Sequence, residues 1–376
     1  MSEAKDLRAD ALVASYERAG YARVAPAMLQ PAEPFLDLSG EDIRRRMFLV
    51  NDAAGGELCL RPDLTIPVAR DYLASPDAGR PAKFCYLGPV FRQREDGPAE
   101  FLQVGIESFG RADTAAADAE TLALALEATA HYGLAEPAIR MGDVALFSAL
   151  VGALDLAPAW KRRLVKDFNR KSSLAHDLDR LVLAPPGAPP EYQGVLAALA
   201  NSDPKAAHAL VTDLLSIAGI TAVGGRSVGE IADRFLEQAA LGAGSALPRE
   251  TRKLIERFLA IGGDPDEAAA ELRALADDAR LALGAALDLF ESRTGFLAAR
   301  GVEPQSIRFS TAFGRGLDYY TGMVFELHDP AAKVSGELVA GGRYDGLFAR
   351  LGAAHVVPAV GFAVWLDGLV ALGGKP

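Results

Sequence analysis

Strand-forming sequence occurs in this chain in two widely separated stretches. Lys83–Gln93 and Phe101–Phe109 are rich in β-forming residues, and so are Ile307–Ala312, Met323–Leu327 and Leu338–Ala340. Between them, from about Gly152 to about Gly263, helical patterns predominate and strand signals are scarce. Any fold for this chain must therefore hold a helical insertion between two β-rich portions. A length of 376 residues suits two or three units of roughly 100–200 residues each.

Local punctuation sharpens the outline. Asp6–Ala19 has a helical apolar stripe and Gly20 as its stop. Ser39–Arg46 carries a helix-start signal. Met47–Val50 and Glu57–Leu60 flank Ala53-Ala54-Gly55-Gly56, which predicts a hairpin. Thr65–Leu73 reads as a helix with Pro67 in its first turn, and Thr114–His131 as an alanine- and leucine-rich helix. Lys83–Gln93 and Phe101–Phe109 form a longer hairpin around the polar loop Arg94–Glu100. Asp203-Pro204 and Asp264-Pro265 open helices, and Ala184–Pro190 is a stiff linker. Arg343–Leu351 and Val364–Leu372 are helical in pattern.

Composition excludes several function classes. Hydrophobic residues are 50% and charged residues 24%, the balance of a chain that forms a core. The net charge of −11 is a poor global match for a polyanion. The basic run Lys161–Lys171 reads first as a solvated helix face, with an acidic partner as the alternative. Cys59 and Cys85 alone exclude a disulfide scaffold and fit a reducing cytoplasm. The five histidines have no metal-ligand spacing, so no metal and no cofactor is expected. No phosphate-binding glycine loop or nucleophile elbow occurs, the N-terminus has no signal-peptide pattern, and no stretch is apolar enough for a membrane span.

Four segments hold residues suited to binding. They are Leu60–Thr65 (LRPDLT), the hairpin Phe84–Gly110 with Arg92, Gln103 and Glu107, Gly314–Tyr320 (GRGLDYY), and Ala340–Leu347 (AGGRYDGL). Gln103, Gly105 and Glu107 share one strand face because side chains repeat every two residues. Singly, each segment has a plain structural reading. Asp63 caps the helix at Thr65, Glu107 faces solvent, Arg315 is a turn residue, and the glycines of AGGRYDGL serve a tight turn.

Together they resemble one family. Phe84–Gly110 resembles motif 2 of the class II aminoacyl-tRNA synthetases. RGLDYY and AGGRYDGL resemble the two histidine-binding signatures of histidyl-tRNA synthetases, and LRPDLT resembles their LRPE-x-T segment with Asp63 in place of glutamate. Val357–Leu369 resembles a degraded motif 3. The resemblance covers roughly residues 1–131 and 300–372. It implies an α+β class II synthetase-like core, a mainly antiparallel sheet flanked by helices. The core would comprise residues 1–151 and 272–376, with the helical insertion at 152–271.

The same resemblance implies a pocket for L-histidine. Asp63, Thr65 and Gln103 would take the ammonium, and Arg315 with Gln103 the carboxylate. Glu107 and Tyr320 would meet the ring nitrogens, Tyr319 and Tyr344 would pack around the ring, and Arg92 completes the set.

The ATP-binding parts depart from that family. Gly368 stands where motif 3 ends in an adenine-stacking arginine. Arg94 stands where an adenine-reading glutamate is expected, and the loop Glu95–Glu100 is short and acidic. Nothing after motif 3 matches an anticodon-binding domain, so no tRNA partner is expected. A pocket kept without its ATP site is similar to the regulatory subunits of ATP phosphoribosyltransferase. That family implies a non-catalytic subunit in histidine biosynthesis, cytoplasmic, homodimeric near Phe35–Arg46, and joined to the short-form catalytic subunit in a hetero-octamer. It would activate that subunit and confer feedback inhibition by histidine. The alternative is a truncated histidyl-tRNA synthetase or a free-standing histidine-activating ligase.

Overall fold

A computed structural model describes residues 7–38, 40–94, 97–168, 171–182, 204–217, 248–317 and 319–373. The linker expected at Ala184–Pro190, the caps Ser39 and Asp203, the loop acids Glu95 and Asp96, and Arg170 and Asp318 lie outside the described residues.

The strands are β1 (Ala22–Arg23), β2 (Leu29–Pro31), β3 (Phe48–Asn51), β4 (Glu57–Leu60), β5 (Ala82–Phe91), β6 (Glu100–Phe109), β7 (Ala138–Asp143), β8 (Gly262–Gly263), β9 (Ile307–Ser310), β10 (Met323–His328), β11 (Val339–Arg343) and β12 (Ala359–Trp365). Nine of them form one sheet in the order β1-β5-β6-β12-β11-β10-β7-β9-β8. Its pairings are antiparallel except β1 with β5 and β7 with β9. The remaining three form a small sheet, β2-β4-β3. Strands from both ends of the chain thus alternate in one mainly antiparallel sheet, as the resemblance implied.

Elements defined by local signals form as expected. The helices Thr65–Leu73 and Thr114–His131 have the expected bounds, and the first helix is Leu7–Arg18. Gly20 ends it with φ +89°, a conformation that costs glycine little. Asp264 caps Pro265–Ala279 by accepting from the backbone N–H of Asp266 and Glu267.

Other expectations need correction. Arg343 lies in β11, and the helix after it spans only Leu347–Arg350. Val364 and Trp365 end β12, and the last helix begins at Leu366. Gly341 and Gly342 sit inside β11 and not in a turn. A Cβ on Gly341 would strike the Gly361 carbonyl, and one on Gly342 the Met323 carbonyl. Glycine here permits close approach of neighbouring strands.

The chain divides into two compact units, residues 1–150 with 257–376, and residues 151–256. The insertion therefore ends before the expected residue 271, which falls inside the helix Pro265–Ala279. That helix belongs to the first unit and packs on Gly284–Ala299 and β9. In the second unit, the helices Pro158–Asp167 and Lys171–Val182 bury Trp160, Leu164 and Leu178. The basic run is partly spent internally: Arg163 pairs with Asp167 at 3.1 Å and Asp177 at 2.7 Å.

Candidate functional site

A cavity of about 210 Å³ opens on the large sheet, lined by residues from both sequence portions. Asp63, Thr65, Arg92, Gln103, Arg315, Tyr319 and Tyr320 all line it, together with Tyr344. Glu107 is the exception among the expected residues. It is fully buried, one layer behind Thr65 and Tyr344.

The N-terminus of the helix Thr65–Leu73 presents one group of polar atoms. Asp63 is buried, and its Oδ1 accepts from the Ile66 backbone N–H at 3.1 Å. The helix-cap reading and the binding reading of Asp63 are thus compatible, since the residue also lines the cavity. Burial raises its pKa, against the pull of Arg92. Arg92 donates from Nε to the Pro62 carbonyl at 2.6 Å, which fixes its guanidinium beside that loop.

Glu107 is fully buried on the face of β6 where the hydroxyls of Thr65, Tyr86 and Tyr344 meet it. Its Oε1 accepts from the hydroxyls of Thr65 at 2.7 Å and Tyr86 at 3.2 Å. Its Oε2 accepts from the Tyr344 hydroxyl. Gly361 lies opposite Glu107 on β12, and a Cβ there would collide with Oε2. Gln103, two residue pairs along the same face, is 1% exposed and its Oε1 lacks a hydrogen-bond partner. A buried acceptor without a partner is uncommon and calls for a donor.

Burial pushes the Glu107 carboxyl from its ordinary 4.5 up to about 8, although bonds from Thr65 and Tyr86 pull it down; nearby Asp63 adds to the rise. The sign for stability follows. Between pH 4.5 and about 8 the unfolded chain releases this proton and the folded chain retains it, so stability falls as pH rises through that window. Glu107→Gln, neutral throughout, should flatten the fall by about 1–3 kcal/mol. Urea denaturation of both forms across the window measures it; parallel curves would refute the assignment.

Arg315, 9% exposed, also lines the cavity. Its Nη1 donates to Glu326 Oε1 at 2.6 Å and its Nη2 to Glu337 Oε1 at 3.4 Å, while Nε has no partner. Tyr319, Tyr320 and Tyr344 form an aromatic trio, with ring centroids 4.8, 5.6 and 6.3 Å apart. The cavity thus combines an acidic end, a guanidinium and an aromatic wall. That combination suits a zwitterion with a planar side chain.

Sequence reasoning missed Tyr86, Glu326, Glu337 and Gly361. Only Tyr86, which faces Gly105 across the β5–β6 pair, carried a register signal. Arg94 lies over the Phe101 ring at 3.6 Å and pairs with Asp367 at 3.8 Å. A Cβ on Gly368 would lie 2.7 Å from Leu338 Cδ2 and 3.4 Å from Val334 Cγ1, so any side chain there would require Leu338 to shift. Among the described residues, no cluster of His, Cys, Asp and Glu could hold a metal, and no helix is long and apolar enough to cross a membrane.

The family model described as histidyl-tRNA synthetase matches residues 2–232 and 210–369. A Brucella canis protein named ATP phosphoribosyltransferase regulatory subunit is 44% identical over 350 residues, covering 93% of this chain and 92% of its own. This chain belongs to the ATP phosphoribosyltransferase regulatory subunit family, within the histidyl-tRNA synthetase-like proteins. Solved structures agree on the fold. An ATP phosphoribosyltransferase regulatory subunit/histidyl-tRNA synthetase of Bacillus halodurans matches with TM-score 0.64 at 22% identity, over 98% of this chain and 78% of that one. A histidine–tRNA ligase subunit of Alicyclobacillus acidocaldarius matches with TM-score 0.56 at 26% identity, over 98% of this chain and 94% of that one. The regulatory-subunit relatives thus match nearly end to end, helical insertion included.

Proposed function

We propose that this chain is a cytoplasmic, non-catalytic subunit that activates the short-form catalytic subunit of ATP phosphoribosyltransferase and binds L-histidine for feedback inhibition. It would act as a homodimer within a hetero-octamer, without tRNA. The observation that carries the reading is a cavity lined by Asp63, Arg315 and three tyrosines, in a chain whose positions 94 and 368 lack the family's nucleotide-binding side chains. Gln103 Oε1 and Arg315 Nε are buried without hydrogen-bond partners, whereas Gly368 offers no guanidinium and Arg94 stacks on Phe101.

In this reading Asp63, Thr65 and Gln103 hold the ammonium and Arg315 the carboxylate, with Arg92 setting the adjoining loop. The ring lies against Tyr319 and Tyr320. Glu107 acts through the hydroxyls of Thr65 and Tyr344, and meets the ring itself when one of its three hydroxyl partners turns away. Histidine would bind one conformation of the complex more tightly and shift its population, and a coupling of about 1–3 kcal/mol suffices.

The test is phosphoribosyl-ATP formation by the short catalytic subunit, with and without this chain, over a histidine titration. The chain should raise the rate and histidine should suppress it. Arg315→Met should weaken the histidine response by about 30-fold or more, the loss of a buried charge pair. A rate unaffected by the chain would sink the proposal. Histidine-dependent exchange of pyrophosphate into ATP would instead favour the ligase reading.

A further inference from the structure

Arg315 is already occupied. Glu326 and Glu337 both accept from its guanidinium, at 2.6 and 3.4 Å, and all three residues line the cavity. An amino-acid carboxylate arriving at Arg315 would be the third carboxylate around one cation. Like charges in a partly buried site repel, so one acid must give way.

The geometry identifies which. Glu326 lies within strand β10, and its second oxygen is held by His328 Nε2 at 3.0 Å. Glu337 lies in the loop before β11, is one-third exposed, and makes the longer bond. Its neighbour Gly336 has φ +83°, a conformation glycine adopts at little cost, and a Cβ there would meet nothing within 4 Å. Both flanks of this short segment are fixed. Asp329 accepts from the N–H groups of Ala331, Lys333 and Val334, and buried Leu338 donates to the Leu327 carbonyl at 2.8 Å. Ser335–Glu337 lies between these flanks, with the Gly336 carbonyl 3.0 Å from His328 Nδ1.

We infer that Glu337 is a built-in competitor for Arg315, displaced when a ligand carboxylate binds, and that Ser335–Glu337 is the surface segment that reports occupancy. This rests on the histidine-pocket reading and deepens it. Ser335 and Gly336 are exposed, so a displaced Glu337 would alter shape and charge at a surface a partner subunit can sense.

Calorimetric titration of wild type and Glu337→Gln with L-histidine and with L-histidinol, which lacks the carboxylate, tests this. Glu337→Gln should bind L-histidine about three- to tenfold more tightly and leave histidinol affinity unchanged. In wild type, L-histidine but not histidinol should speed hydrogen exchange in a peptide spanning residues 331–338. Unchanged or weakened histidine binding by the variant, or an equal gain for both ligands, would overturn the displacement while leaving the pocket standing. Wild type that binds no L-histidine would overturn the pocket and the displacement together.

Discussion

Arg293→Met should lower the stability of this protein by about 3–5 kcal/mol, although Arg293 touches nothing in the cavity. Arg293 is 1% exposed and donates to Asp118 Oδ2 at 2.8 Å and Asp143 Oδ2 at 2.6 Å. Asp118 also binds Arg343, which donates from Nε to Oδ1 at 2.8 Å and from Nη1 to Asp345 at 2.8 Å. Two guanidinium groups and two fully buried carboxylates thus form one network. Without Arg293, Asp143 keeps only the Ala145 backbone N–H among its hydrogen-bond donors here, and a net negative charge stays buried. Removing one member of such a network costs far more than the network's net worth, because the remaining charge loses its partner while desolvated. Urea denaturation measures the loss, and Asp143→Asn in the same chain should restore part of it by removing the orphaned charge. A single-variant loss under about 1 kcal/mol would refute the account.

The same network shows where sequence reading stops. Arg343 belongs to a segment that resembles a histidine-binding signature, yet its guanidinium points to Asp118 and the Thr114 carbonyl; Ala340 and Tyr344 of that segment line the cavity. A short motif identifies a segment and does not say which of its side chains face the ligand. Elements governed by near neighbours were legible. Thr65–Leu73, Thr114–His131 and the β3–β4 hairpin follow from periodicity, caps and turn residues. Strand β12 was not, because every one of its first four residues is buried and no alternation marks it as a strand. Strand β7 has no turn partner beside it in sequence; its partners β10 and β9 lie beyond the insertion. The burial of Glu107 and the acids around Arg315 follow from the sheet order, which brings distant segments together. Spacing within one segment cannot encode that.

Gly361 makes the point at a single atom, and Gly361→Ala should disable the site. A Cβ there would strike Glu107 Oε2 and the Ile106 carbonyl and lie 2.8 Å from the Tyr344 hydroxyl. The carbonyl is backbone in the paired strand, and the carboxylate is held by three hydroxyls, so neither yields freely. The expected cost is about 1–3 kcal/mol, the usual result of overpacking a close-packed core. Ligand binding should suffer more, because Gly361 and its neighbours Phe362, Ala363 and Trp365 all line the cavity. Histidine affinity should fall by about tenfold or beyond, since a shift of a few tenths of an ångström misplaces several contacts at once. Gly316→Ala is the control: it also lines the cavity, but its Cβ would meet nothing within 4 Å, so stability should change by less than about 0.5 kcal/mol. Denaturation and calorimetry of both variants separate the two effects. Combining Gly361→Ala with Glu107→Ala should give a loss of stability smaller than the sum of the two, because the second change makes room for the first. The combination should not recover histidine binding, because Thr65 and Tyr344 would then lack the carboxylate that orients them. Additive losses would mean that Gly361 and Glu107 are not in contact, and the packing of Glu107 behind the cavity would be wrong.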